Sequence, residues 1–276
     1  MIYCVQLNCH ANNNTPYMIL PLTPEREQKP RSKGVLMMMD KGLSLECVKN
    51  IIQVGGHLID YAKLGFGTSL VSNNVPEKIK LYRDAGIKVF LGGTLFEAFL
   101  IRGLFADYEK LIDKLGVDAV EISDGSMIME HSQKCEYINH FAKNRIVLSE
   151  VGAKESGVMT HHADWVSKMA AELNAGSRYV IGEARESGTV GIFNNNGKAD
   201  NNLIDEILKK IPSEKIIWEA PAKNQQVWFI KLLGYDVNLG NISPSDVIPL
   251  ETLRLGLRGD TFFDFLPQEY SKFKLT

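Results

Sequence analysis

The chain has 276 residues, 45% of them hydrophobic and 23% charged, with 31 Lys and Arg against 33 Asp and Glu and a formal net charge of −2. It lacks the basic excess that marks a nucleic-acid surface, and no apolar run reaches the roughly 18 residues of a membrane span. Neither nucleic acid nor membrane is therefore an expected partner. The length suits one α/β barrel of about 250 residues plus an extension. Cys4, Cys9, Cys47 and Cys135 include no Cys-x-x-Cys pair, and read as free thiols of a protein in a reducing cytoplasm.

Residues 1–33 differ from the rest. Asn12-Asn13-Asn14 and the prolines at 16, 21, 24 and 30 break any regular element. No basic n-region precedes an apolar h-region, so the stretch does not read as a secretory signal. Residues 1–17 read as a dispensable tail, and 18–33 as an extended arm closing the bottom of a barrel or reaching a neighbouring subunit. A single domain is expected over 34–276.

From there one pattern repeats eight times: a short apolar run, then an acid, base or glycine, then an amphipathic segment. Strand one, over 34–39, ends in Asp40-Lys41-Gly42; its three methionines read as core filling. Ser44 caps a helix with Leu45, Val48 and Ile52 on one stripe. Strand two runs from about His57 through Asp60 to Lys63-Leu64-Gly65, and the glycine loop after it is too short for a dinucleotide fingerprint. Strand three, over 87–91, empties into Gly92-Gly93-Thr94 with a helix from about Leu95; free amides there would make an anion seat or a bare turn. Strand four, over 118–123, carries Glu121 and leads to Asp124-Gly125.

Strand five starts at Arg145 and ends in Ser149-Glu150, after which Gly152 turns the backbone and delivers Lys154. Thr160 should cap the following helix, with Val166, Met169 and Leu173 on one stripe and His161 and His162 solvated in the first turn. Strand six, over 179–183, ends in Glu183-Ala184-Arg185-Glu186. Strand seven, over 216–218, delivers Glu219-Ala220-Pro221. Strand eight, over 236–239, ends in Gly240-Asn241. Pro249 is expected to restart the chain after a short turn, placing the last helix over 250–257, with Arg258 in the tail beyond it. Strand-then-helix units that all put charge at the strand's C-terminal end predict an eight-stranded parallel (β/α)8 TIM barrel with its site on one rim.

The rim set comprises Asp40, Lys41, Lys63, Glu121, Asp124, Glu150, Lys154, Glu183, Arg185, Glu219 and either Asn238 or Asn241. Buried charges are costly unless paired or ligating, so a set recurring on strand after strand points to function. Several carboxylates without His or Cys suit a hard cation, Mg2+ before Zn2+. Lys63, Lys154 and Arg185 suit an anionic substrate carrying phosphate and carboxylate. No Ser-His-Asp order, P-loop or HExxH is present. The chemistry expected is metal-assisted work next to a carboxylate, with Lys as proton carrier.

Asp40-Lys41-Gly42-Leu43, Lys63-Leu64-Gly65-Phe66-Gly67-Thr68-Ser69, Gly92-Gly93-Thr94-Leu95-Phe96-Glu97, Val120-Glu121-Ile122-Ser123-Asp124-Gly125, Glu183-Ala184-Arg185-Glu186-Ser187-Gly188, Glu219-Ala220-Pro221, Asn238-Leu239-Gly240-Asn241-Ile242 and the run from Leu250 through Arg254 and Arg258 to Phe262 resemble the phosphosulfolactate synthase family. The resemblance extends from about residue 28 to 263, with the motifs in order. It implies a (β/α)8 lyase that adds sulfite to phosphoenolpyruvate with Mg2+, giving (2R)-phospho-3-sulfolactate on the way to coenzyme M or sulfolactate. The family's proposed acid falls on Lys154, and the preceding position, often a second Lys, is Ala153. Under that reading Glu150 and Glu183 bind the metal, with Glu121 and Asp124 in reserve, and Lys63 and Arg185 neutralise the substrates. Lys41, Gly92, Gly93, Thr94, Asn241 and Arg258 are the expected substrate and phosphate contacts. A homo-oligomer is expected. Two other readings stay open: a non-catalytic, stress-associated barrel, and a different lyase or aldolase acting on a phosphorylated carboxylate.

Overall fold

In a computed structural model, which describes residues 20–152, 162–184, 191–193 and 197–275, eight short strands alternate with helices. They are β1 (Leu36–Asp40), β2 (Tyr61–Leu64), β3 (Lys88–Leu91), β4 (Ala119–Ile122), β5 (Ile146–Val151), β6 (Tyr179–Gly182), β7 (Ile216–Glu219) and β8 (Leu239–Ile242). Their order, β3-β2-β1-β8-β7-β6-β5-β4, is a cyclic run in which all paired neighbours are parallel. Asp118 bridges the seam between β3 and β4: its N–H donates to the Val89 carbonyl at 3.0 Å, and its carboxylate accepts the Val89 N–H at 3.0 Å. The result is the (β/α)8 barrel expected from the repeated pattern.

Around it lie α1 (Leu45–Gly55), α2 (Val75–Asp84), α3 (Gly93–Leu100), α4 (Phe105–Leu115), α5 (His131–Ala142), α6 (His162–Ala175), α7 (Asn201–Leu208), α8 (Lys223–Leu233) and α9 (Val247–Arg254) among the described residues. None is long and apolar enough to cross a membrane. The Ser44 hydroxyl caps α1 by accepting the Cys47 N–H at 3.2 Å, satisfying one of the donors a helix start leaves over. Thr160, the expected cap of the helix after strand five, lies outside the described residues.

Two boundaries differ from expectation. Pro249 does not restart the chain; it sits in the first turn of α9, where a missing N–H costs nothing. Strand eight forms its ladder three residues later than 236–239. Asp236 is drawn to Arg26, and the Asn238 side chain accepts the Val35 N–H at 2.9 Å while donating to the Ile216 carbonyl at 3.1 Å. Those contacts make 236–238 the entry to the strand, and the register on β1 shifts between Leu36 and Met38.

Side-chain alternation sorts the core into two layers. Val35, Met37, Tyr61, Phe90, Ala119, Leu148, Tyr179, Ile181 and Ile217 fill the barrel interior. Leu36, Met38, Ala62, Leu64, Val89, Val120, Val147, Val180 and Trp218 face the helices. Because a strand repeats every two residues, Lys63, Glu121, Glu150, Glu183 and Glu219 stand one layer above Tyr61, Ala119, Leu148, Ile181 and Ile217. The uppermost interior layer is thus charged.

Described residues 20–33 run along the opposite, N-terminal end of the barrel. Lys29 donates to the carbonyls of Gly56 (3.0 Å) and Ile59 (2.6 Å), and Arg31 donates to that of His57 at 2.9 Å. Arg26 binds Asp236 and Glu251 and donates to the Gly34 carbonyl at 3.1 Å. Gly34, at φ +69°, makes room: a Cβ there would stand 2.2 Å from Arg26 Nη1. Arg26→Ala takes the arginine from part-buried Glu251 and leaves Asp236 only the half-exposed Lys33 at 3.0 Å, so we expect a loss of about 2 kcal/mol. In a thermal melt that is a fall in Tm of about 4–8 °C, with steady-state kinetics unchanged; a shift below about 2 °C would contradict this role for the arm.

Candidate active site

The charged layer closes on Lys63 at the end of β2. Its Nζ lies 2.8 Å from Glu121 Oε2, 3.1 Å from Glu150 Oε2 and 3.5 Å from Glu219 Oε1. All four side chains are buried. Desolvation opposes the charge on Lys63, but Glu121, Glu150, Glu219 and Glu183 outweigh it and hold the ammonium well above its ordinary pKa. The Glu219 carboxyl is raised as well, to about 7, by burial first and then by Glu150 and Glu121, although Lys63 and the Ala184 N–H pull it down. With four glutamates around one lysine, the pocket carries an excess of negative charge.

Glu150, Glu183 and Glu219 each offer a carboxylate oxygen, the three lying within 4.8 Å of one another. A buried, all-oxygen, multiply anionic donor set fits a hard divalent cation such as Mg2+ and not a soft one. Glu219 is braced by the Ala184 N–H at 3.1 Å and by Asn241 Nδ2 at 3.3 Å. Asn241, held at φ +55°, also donates to the Ala184 carbonyl at 3.2 Å, tying β8 to the end of β6.

Glu121 accepts the N–H of Gly93, the first residue of α3, at 2.6 Å. The amide expected to form part of an anion seat therefore serves the protein's own carboxylate. The two glycines let the cluster close: a Cβ on Gly92 would stand 3.4 Å from Lys63 Cε, and one on Gly93 would stand 2.3 Å from Ser123 Oγ. Thr94 is exposed on the first turn of α3. Beside it, buried Glu97 accepts from the Ser123 hydroxyl and from the Ser126 N–H at 2.6 Å, fixing the loop after β4.

The structure brings together Lys63, Glu121, Glu150 and Glu183 from the predicted set, with Asn241 behind them. Glu219, read as a rim residue but not as a ligand, takes the third place in the carboxylate triad. Asp124 lies apart, 2.8 Å from Lys134 Nζ. Asp40 is also buried elsewhere: it accepts the N–H groups of Gly42 (2.7 Å) and Leu43 (2.8 Å) and the Tyr82 hydroxyl (3.0 Å), closing the turn after β1. Lys41 is exposed on that turn, its Nζ 5.7 Å from the centre of the Phe66 ring. Arg258 follows the end of α9 at which Arg254 donates to the Val237 carbonyl below β8 (2.7 Å), the end away from the rim. Lys154 and Arg185 lie outside the described residues.

Lys134 and Glu172 were missed, and the sequence did hold a signal for them. Lys134 shares one face of α5 with buried Ile138 and Phe141, and Glu172 shares one face of α6 with Trp165 and Met169. A charge on an apolar stripe has to find a partner.

Comparison with known proteins places the chain in a family. The family model described as (2R)-phospho-3-sulfolactate synthase (ComA) matches residues 24–260. A phosphosulfolactate synthase of Methanocaldococcus jannaschii is 44% identical over 236 residues, 83% of this chain and 94% of that protein. One of Bacillus subtilis is 39% identical over 243 residues, 87% of this chain and 96% of that protein. Among solved structures, a 3-hexulose-6-phosphate synthase superposes with a TM-score of 0.52 at 14% identity, over 80% of this chain and 99% of its own. That last likeness bears on the fold alone.

Proposed function

This chain belongs to the (2R)-phospho-3-sulfolactate synthase family, and on that premise we propose that it is a lyase adding sulfite to phosphoenolpyruvate, with Mg2+ as cofactor, to give (2R)-phospho-3-sulfolactate. The observation that carries the reading is the buried triad of Glu150, Glu183 and Glu219, with oxygens within 4.8 Å, beside a lysine. Bound at the triad, Mg2+ supplies positive charge to the substrate carboxylate, where electrons from the double bond collect.

Sulfite sulfur forms a bond to the methylene carbon, and the carbon bearing the phosphate takes up a proton, so no group leaves. We assign that proton to Lys154, two residues beyond Gly152 in the sequence. Lys63 already faces three carboxylates of the protein. Its work is therefore to hold the carboxylates in place against their mutual repulsion, and Arg185 is left to neutralise substrate anions. The Gly93 amide is committed to Glu121, so phosphate recognition falls to other groups on the rim, Lys41 and Thr94 among them.

Incubating the protein with phosphoenolpyruvate and sulfite, with Mg2+ or with excess EDTA, tests the proposal. The expected result is a sulfonate formed in step with phosphoenolpyruvate loss, without release of inorganic phosphate, and only with Mg2+. Turnover of another phosphorylated acid with no sulfonate formed would replace this reading with that of a different lyase or aldolase. Glu150→Gln is expected to raise the Mg2+ needed for half-maximal rate by at least about tenfold; an unchanged metal titration would take Glu150 out of the ligand set.

A further inference from the structure

Behind the rim, between β5 and the helix layer, Lys134 of α5 is completely buried at 0% exposure. Its ammonium meets three acceptors from three different elements: Asp124 Oδ1 at 2.8 Å in the loop after β4, the Glu150 carbonyl at 2.7 Å on β5, and Glu172 Oε1 at 2.7 Å on α6. An ammonium has three N–H groups, so this tripod leaves none to spare. Burial works against the charge, while Glu172 and Asp124 hold it in place and raise the pKa. His131 Nε2 also lies 3.2 Å from Glu172 Oε1, on the outer side of the network. A cation saturated in this way has nothing left with which to bind substrate or carry a proton. What it touches is the main chain of Glu150, whose side chain is in the triad.

We propose that Lys134 is a positioning residue: it locks the main chain of Glu150 to α6 and to the loop after β4, so that the Glu150 carboxylate stays in register with Glu183 and Glu219. This rests on reading the triad as the Mg2+ site. Three oxygens within 4.8 Å of one another repel when no cation lies between them, and a strand end held only by its ladder would yield to that repulsion. Partners behind the ligands are known to govern metal affinity as well as the ligands do.

The test is Mg2+ binding measured by titration calorimetry on the folded, metal-stripped protein, alongside melting temperature. Lys134→Met is expected to raise the Kd for Mg2+ about 10- to 100-fold, and Lys134→Arg, which keeps the charge, to recover part of that loss. Arg26→Ala, which cuts a part-buried tie at the other end of the barrel, is the control: it lowers Tm but should leave the Kd within about twofold, since distant sites act independently. Should Lys134→Met fail to fold, Glu172→Gln removes one leg of the tripod and should weaken Mg2+ binding at least about threefold. An unchanged Kd in whichever of these variants folds, or an equal rise in Arg26→Ala, overturns the role of Lys134 while leaving the triad standing. A parent protein that binds no Mg2+ at all overturns the reading of the triad, and this proposal with it.

Discussion

Lys63→Met is expected to abolish turnover and to destabilise the metal-free protein by about 3 kcal/mol or more, the cost of leaving buried charges without their partner. For a chain of this length that corresponds to a fall in Tm of about 6–12 °C. The ammonium is the shared neighbour of Glu121, Glu150 and Glu219. A methionine of similar length fills its volume but supplies no charge, so the carboxylates repel one another in a region of low dielectric. Added Mg2+ should restore more of the lost Tm in this variant than it adds to the parent, because a cation that binds only the folded state stabilises it by mass action, and here it also replaces missing positive charge. A metal-free melt within about 2 °C of the parent would show that Lys63 is not the counterion of the cluster.

Lys154→Ala should lower turnover by a factor of about 10²–10⁴, the range for loss of a positioned general acid. Mg2+ affinity should change much less than turnover, since the donor set is made of carboxylates and an ammonium is no metal ligand. With Ala153 in the position before it, no adjacent lysine can substitute. A rate within about threefold of the parent would remove Lys154 from the proton-transfer step.

Much of the fold was legible because a (β/α)8 barrel repeats one rule. The apolar runs ended in charge, or in glycine after β3, at nearly the positions where β1 to β7 end, and the alternation of Ile217 with Glu219, or Leu148 with Glu150, already sets those acids on the interior face. The end of β8 was harder to read. Its ladder begins only after Asp236 and Asn238 have been claimed by Arg26 and Val35, contacts more than 200 residues apart that no local pattern records. Pro249 misled for a related reason: a proline that ends a helix and one that sits in its first turn look alike until the cap is seen.

In the site, chemistry was easier to read than partnership. That Glu121, Glu150, Glu183 and Lys63 belong together follows from their shared place at strand ends. Which carboxylate pairs with what does not: Asp124 and Glu121 are only three residues apart, yet one turns back to Lys134 and the other inward to Lys63 and Gly93. Gly92 and Gly93, which read equally as an anion seat or a bare turn, leave the space into which Lys63, Glu121 and Ser123 close. The same buried position can serve a ligand or a neighbour, and only three-dimensional packing decides between them.

The most direct test of the central claim is a crystal structure of the protein with Mn2+ in place of Mg2+ and phosphoenolpyruvate bound. The expected result is a single anomalous peak within roughly 2.0–2.3 Å of oxygens from Glu150, Glu183 and Glu219, with the substrate carboxylate on its open side and Lys63 still against Glu121. A peak bound elsewhere, or a triad in which Lys63 alone answers the three carboxylates while substrate and metal sit apart from it, would contradict the account.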